Sequence, residues 1–183
     1  MSNKSKTYIM DARNFQKYGQ YDYAIDSLCK AEELDHQHEF EAEIQKLLSF
    51  NYRKLEDLGQ ALYHINNAIH INSVANTDEA KKESAICLMN KGIIYEELKQ
   101  TDKALKCYLS ALKIFTDLFD LDPINYGLII NALMTIGMFY YKRQNYSKVK
   151  EYLEKALPYF NSDKESDRRY VAIINTLREI EQK

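Results

Sequence analysis

The sequence predicts an all-α chain of repeated helix hairpins, and two observations predict it. The first is a four-point pattern that occurs four times: a small residue, an aromatic three later, a small residue nine after that, and Ala seven further on. It reads Ala12, Phe15, Ala24, Ala31, then Ser49, Tyr52, Ala61, Ala68. It returns as Gly92, Tyr95, Ala104, Ala111 and as Gly137, Tyr140, Val149, Ala156, with Val in the third place of the last unit. The second observation is the step of nine. Steps of three and seven keep side chains on one helix face, whereas nine does not and so crosses a turn into a second helix. Small residues then mark where two helices come closest, with the aromatic wedged between them.

The first hairpin runs over about 5–35 and turns at Tyr18-Gly19-Gln20, where Gly can end a helix in the left-handed conformation. Tyr21 and Ile25 resume its apolar stripe. The second covers about 39–72, with Gly59 near its turn and an inner face of Ile44, Leu47, Leu48, Tyr52, Leu55, Leu62, Ile65 and Ile69. The third spans about 77–118: Asp78 and Glu79 favour its N-terminus, and Thr101 or Asp102 can cap its second helix. The fourth covers about 122–160. Asp122-Pro123 is its start signal, Gln144-Asn145 its turn, and Pro158 kinks or ends its second helix. A last segment, about 163–182, places Val171, Ile174, Leu177 and Ile180 on one face, as a terminal capping helix requires. Nine helices and no strands follow. Equivalent points Ala24, Ala61, Ala104 and Val149 lie 37, 43 and 45 residues apart, so the added length falls between hairpins.

A chain of 183 residues suits one domain, 1–183. Its 25 Lys and Arg against 27 Asp and Glu give a net charge of −2, which exerts no general pull on nucleic acid or an anionic membrane. No apolar run is long enough to span a bilayer, and the polar start at Met1–Lys6 does not read as a signal peptide. A cytoplasmic protein is expected. Cys29, Cys87 and Cys107 are odd in number and far apart, which disfavours a disulfide framework or a zinc site and favours packed thiols. The Tyr-, Asn-, Lys- and Ile-rich composition points to an AT-rich, bacterial coding genome.

The spacing resembles the tetratricopeptide repeat, whose unit is about 34 residues. The resemblance covers nearly the whole chain, although the family's Trp and its usual Pro after the second helix are missing. Asp11 and Lys91 stand where apolar residues are usual, and Val149-Lys150 replaces the common small–apolar pair. The resemblance implies a right-handed superhelix with a concave groove lined by the first helix of each hairpin. The lengthened units and the composition also resemble the repeat domains of Gram-positive peptide-pheromone receptors, which implies a regulator that senses a short peptide. Such receptors often carry a helix-turn-helix domain first. Here repeats begin close to Met1, so a regulator-free or truncated member is expected.

In that geometry the groove-facing residues are Met10, Arg13, Lys17, Lys46, Phe50, Arg53, Lys54, Met89, Asn90, Ile93, Glu97, Asn131, Met134, Thr135, Met138 and Tyr141. Asn both donates to and accepts from a peptide backbone. Met and aromatic residues offer adaptable apolar pockets, and Arg or Lys can meet a carboxylate. The chosen peptide-binding set is Arg13, Phe50, Arg53, Lys54, Asn90, Glu97, Asn131, Met134, Met138 and Tyr141, with Asn90 and Asn131 as the leading pair. The positions used by family members that clamp a C-terminal carboxylate hold Ile9 and Arg13, which disfavours that use.

The basic pairs Lys81-Lys82, Lys142-Arg143 and Arg168-Arg169 lie among acidic residues and read as solvated faces, not as a nucleic-acid surface. His36 and His38 near Asp35 and Glu39 make a conceivable metal cluster, but two His in a turn, with neither His64 nor His70 on their face, read as loop residues and not as a site of defined geometry. No catalytic motif occurs, and no cofactor is expected. The expected partner is a peptide or protein segment. The alternative expectation is a structural scaffold that self-associates into a homo-oligomer or bridges subunits.

Overall fold

All four predicted turns are made the same way. The carbonyl of the repeat aromatic, Phe15, Tyr52, Tyr95 or Tyr140, accepts from the backbone N–H five residues on, at 2.9, 2.9, 2.8 and 3.1 Å. The residue before that N–H is left-handed each time: Gly19 at φ 72°, Glu56 at 64°, Lys99 at 60° and Gln144 at 56°. This is the usual C-terminal closure of a helix, and it favours glycine. Only the first unit has glycine there. Gly59 does not serve the second turn as expected, because it lies in the following helix and Glu56 takes the left-handed place.

The computed structural model describes residues 2–36, 38–75, 77–119, 123–161 and 164–182. Among the described residues every regular element is helical: α1 (Ser2–Lys17), α2 (Tyr21–Leu34), α3 (Glu41–Lys54), α4 (Leu58–Ala75), α5 (Asp78–Glu97), α6 (Thr101–Phe119), α7 (Tyr126–Tyr141), α8 (Tyr146–Ala156) and α9 (Arg168–Ile180). Tyr21 and Tyr146 each open the second helix of their hairpin. Two compact units result, 1–104 and 105–183, with the boundary inside α6.

In the first unit α1 packs on α2, α3 on α4, α2 on α3 and α4 on α5. The small repeat positions Ala12, Ala24, Ala31, Ala61 and Ala68 are all fully buried, as close backbone approach requires. Ser49 fills its small position by donating Oγ–H to the Ala61 carbonyl at 2.8 Å, and Ser5 donates likewise to Ala31 at 3.0 Å. Around them gather Ile9, Leu28, Ile44, Leu48 and Ile65. Burying each such side chain contributes roughly 1.5–3 kcal/mol. Leu55, expected inside, is 39% exposed because the turn begins at it. Asp35 organises the link from α2 to α3, accepting from Glu39 N–H at 3.1 Å and Phe40 N–H at 2.7 Å. Thr77 caps α5 through Ala80 N–H at 3.1 Å. Thr101 is the first residue of α6, not its cap.

In the second unit α7 packs on α8, and α8 on α9. Tyr108, Phe115, Ile129, Ile130, Ile136, Phe139 and Leu153 are its largest fully buried side chains among the described residues. Gly137 is a close approach: a Cβ there would lie 2.8 Å from Leu153 Cδ2. Asp122 lies outside the described residues. Residues Pro123–Asn125 form a 3₁₀ turn, and α7 starts only at Tyr126, later than the start signal implies. Pro158 sits in a second 3₁₀ turn that ends α8, as expected. On α9 the expected stripe holds at Ile174, Leu177 and Ile180 but not at Val171, whose place Ile173 takes. Ile173 is buried with Ile180, whereas Val171 is 44% exposed.

Candidate functional site

Both faces of interest are built from the first helices of hairpins. In the first unit these are α1, α3 and α5, and side chains tie each to the next. Arg13 Nη2 on α1 reaches Glu43 Oε1 on α3 at 2.5 Å. Lys46 Nζ on α3 reaches Glu83 Oε2 on α5 at 2.5 Å, and Arg53 Nη1 reaches Glu97 Oε1 at 2.7 Å. The cation always comes from the earlier helix and the carboxylate from the later one. Arg13, Glu39, Glu43, Lys46, Glu79 and Glu83 also line a pocket of about 320 Å³. Phe50 is 37% exposed on α3, the helix of Lys46 and Arg53. Arg53 and Lys54 each stand 5.6 Å from its ring centroid, and Tyr21 of α2 meets it edge-on at 6.4 Å. The structure thus gathers Phe50, Arg53, Lys54 and Glu97. Arg13 stands in a separate ion pair, and Asn90 is half-buried on α5, seven residues before Glu97 and on the same helix face.

In the second unit Asn131, Met134, Met138 and Tyr141 follow one another at steps of three, four and three along α7, so they share a stripe. Asn131 is exposed, Met138 is 43% exposed, and Met134 and Tyr141 are half-buried. Tyr141 O–H donates to Glu179 Oε1 of α9 at 2.5 Å. That bond repeats the Arg53–Glu97 link: each donor stands four residues after its unit's small position and reaches a carboxylate on the next element of the same face. Asn90 belongs to the first unit and Asn131 to the second.

Sequence reading missed two features. One is a polar network across α2, α3 and α4. Gln45, 6% exposed, donates to Glu32 Oε1 at 2.7 Å, and its own Oε1 lies 2.7 Å from His64 Nδ1. His64 stacks on the repeat aromatic Tyr52 at 5.2 Å, and desolvation by burial holds its pKa below the ordinary imidazole range. The other is a cavity of about 470 Å³ between the starts of α7 and α9, walled by Tyr126, Tyr159, Phe160 and Arg169. The adjacent Arg168-Arg169 invited only a charge reading. Pro158 next to an aromatic pair was the available signal for a shaped turn.

The basic clusters are largely committed. Lys81 pairs with Asp78 at 3.0 Å, Lys82 with Glu79 at 2.5 Å and Arg169 with Asp167 at 2.6 Å. Arg143 lies 3.6 Å over the Phe139 ring and donates to the Phe139 carbonyl at 2.7 Å. Cys29 is exposed, against the packed-thiol expectation, while Cys87 and Cys107 are buried. Burial pushes the Cys87 thiol up to about 12, and partial desolvation followed by nearby Glu32 raises that of Cys29, both against thiolate formation. Among the described residues no three His, Cys, Asp or Glu gather as metal ligands, and no helix is long and apolar enough to cross a membrane.

A tetratricopeptide repeat family model matches residues 85–117 and 130–157. No curated protein matches the sequence. The apo form of RapI superposes with a TM-score of 0.77 at 19% identity, over 97% of this chain and 63% of RapI. This chain therefore spans less than two thirds of the RapI chain. Nearly identical TPR-like repeats from Podosopora anserina, classed with kinesin light chains, give a TM-score of 0.74 at 14% identity, over 100% of this chain and 87% of theirs. A tetratricopeptide repeat protein from Parabacteroides merdae gives 0.64 at 20% identity, over 98% and 61%. At these identities the likeness establishes the fold, and the tetratricopeptide repeat match is to residues 85–117 and 130–157.

Proposed function

We propose that this chain of tetratricopeptide repeats is a non-enzymatic interaction module that holds an extended peptide, or an extended partner segment, on its first-helix faces. One observation carries the reading. Phe50 and Met138 each follow a closely packed small residue, Ser49 and Gly137, and remain 37% and 43% exposed. A large apolar side chain kept in solvent on a rigid helix is an anchor surface for an extended chain. Asn131 on the stripe of Met138, the Arg53–Glu97 pair next to Phe50 and the separate Arg13–Glu43 pair supply hydrogen-bonding and ionic partners that a peptide's own groups can share or exchange. Within this class we read a cytoplasmic bacterial regulator or peptide sensor, a reading the composition and the lengthened units support.

Calorimetry with a library of capped peptides tests it. Binders should weaken about tenfold in Phe50→Ala or Met138→Ala, roughly 1.4 kcal/mol each. A library without a binder, or binding indifferent to both substitutions, counts against the reading. A second reading, self-association, draws on Tyr23 of α2 and Tyr63 of α4, each 60% exposed. Light scattering separates the two, because self-assembly gives a concentration-dependent mass without added peptide.

A further inference from the structure

The cavity in the second unit has the makings of a site that the repeat pattern does not explain. Its volume of about 470 Å³ falls in the range of ligand pockets. Its walls are rings already locked against one another: Tyr126 and Tyr159 meet edge-on at 5.1 Å, and Phe160 meets Tyr170 at 5.4 Å. Ile124 stands at its rim, 92% exposed, and buried Ile130 forms part of its floor.

The charges lining the cavity cancel. Asp167 Oδ1 accepts from Arg169 N–H at 2.8 Å and Nε–H at 3.1 Å, and Oδ2 accepts from Nη2–H at 2.6 Å. An incoming anion would lie beside the Asp167 carboxylate and an incoming cation beside the Arg169 guanidinium, each a like charge, whereas a neutral group meets no like charge. The guanidinium carries five N–H bonds. Its bonds to Asp167 use Nε–H and one Nη2–H, and one Nη1–H reaches the Gly127 carbonyl at 3.5 Å, so two are left for an arriving carbonyl. Gly127 keeps that wall close, since a Cβ there would come within 3.1 Å of Arg169 Nη1. Gly127 also precedes Asn131 by four residues, so it continues the stripe of Asn131, Met134 and Met138 toward the start of α7.

We propose that this cavity is an anchor pocket for an uncharged aromatic or branched apolar residue of a peptide lying along α7, with Arg169 donating to the peptide's backbone carbonyl. The proposal rests on the peptide-binding reading above and names the residue class its far end selects. The rings supply apolar and edge-to-face contact, and the self-neutralised ion pair rejects a charged side chain, whose desolvation it cannot offset.

The test is an NMR titration of the full chain with three capped alanine pentapeptides carrying Phe, Asp or Lys at the centre. Saturable shifts at the Gly127 and Asn161 amides are expected with the Phe peptide, and binding about tenfold weaker with the other two. Ile124→Glu should weaken the Phe peptide about tenfold at an unchanged unfolding midpoint, because Ile124 buries almost nothing. Phe160→Ala should weaken it too. Shifts confined to Asn131, Met134 and Met138 would overturn the pocket and leave the α7 face standing. Equal binding of the three peptides would also overturn the pocket. No saturable shift anywhere along α7 would overturn both.

Discussion

The two units carry the same hairpin but finish their first-helix faces with different chemistry. Residues 1–104 hold 13 Lys and Arg against 17 Asp and Glu, a balance of −4, whereas residues 105–183 hold 12 against 10, a balance of +2. In the first unit three ion pairs stitch α1, α3 and α5 together. In the second, the face of α7 presents Met134, Met138 and Tyr141, and rings wall the neighbouring cavity. The difference teaches that the repeat fixes only where helices touch. The outward face is free to be ionic or apolar, and its content decides what each unit can hold.

The comparison breaks most readily at its buried positions. Phe139 is 2% exposed, meets Tyr108 and Tyr140 edge-on at 6.1 and 5.4 Å, and lies under Arg143. Phe139→Ala should cost about 3–5 kcal/mol, read by chemical denaturation. Gly137→Val should cost about 2 kcal/mol, because Leu153 already closes on the missing Cβ.

A smaller and sign-specific effect comes from the turns. Glu56→Gly, Lys99→Gly and Gln144→Gly should each raise stability by about 0.5–1 kcal/mol, whereas Gly19→Ala should lower it by about 1 kcal/mol. Thermal melts of the four variants read both signs.

The pH dependence sharpens the contrast further, since the polar network belongs to the first unit. Native His64 resists protonation through burial, so between its lowered pKa and the ordinary value near 6.5 the unfolded chain binds the extra proton. Stability therefore rises with pH through that window and is lost as pH falls. The slope is at most about 1.4 kcal/mol per pH unit, and it should flatten in His64→Gln. Smallest is the Arg53–Glu97 pair. A double-mutant cycle should give about 0.5–1 kcal/mol, shrinking with salt, while the Met138 face shows no such salt dependence.

Buried positions were legible because they obey a spacing. Every repeat residue from Ala12 to Ala156 fell where helices meet, since a side chain at a close approach has few options. The turn at Glu56 was not legible: the five-residue hydrogen bond holds a left-handed residue without needing glycine, so Gly59 misled. On α9 only Val171 was misplaced, because Val171 and Ile173 are similarly apolar and only docking on α8 selects Ile173. On the faces, sequence could nominate Arg13, Arg53 and Glu97 but not their pairing, which depends on neighbouring hairpins 30 and 44 residues away in sequence. The cavity beside Arg169 was hidden for the same reason, as Gly127 and Arg169 are 42 residues apart.

The most direct measurement is a photo-crosslinking peptide pool reacted with the full chain, its adducts mapped by mass spectrometry. The account predicts adducts on the first helices, concentrated around Phe50 on α3 and Met138 on α7. Adducts concentrated instead around Tyr23 and Tyr63 on the second helices would contradict it.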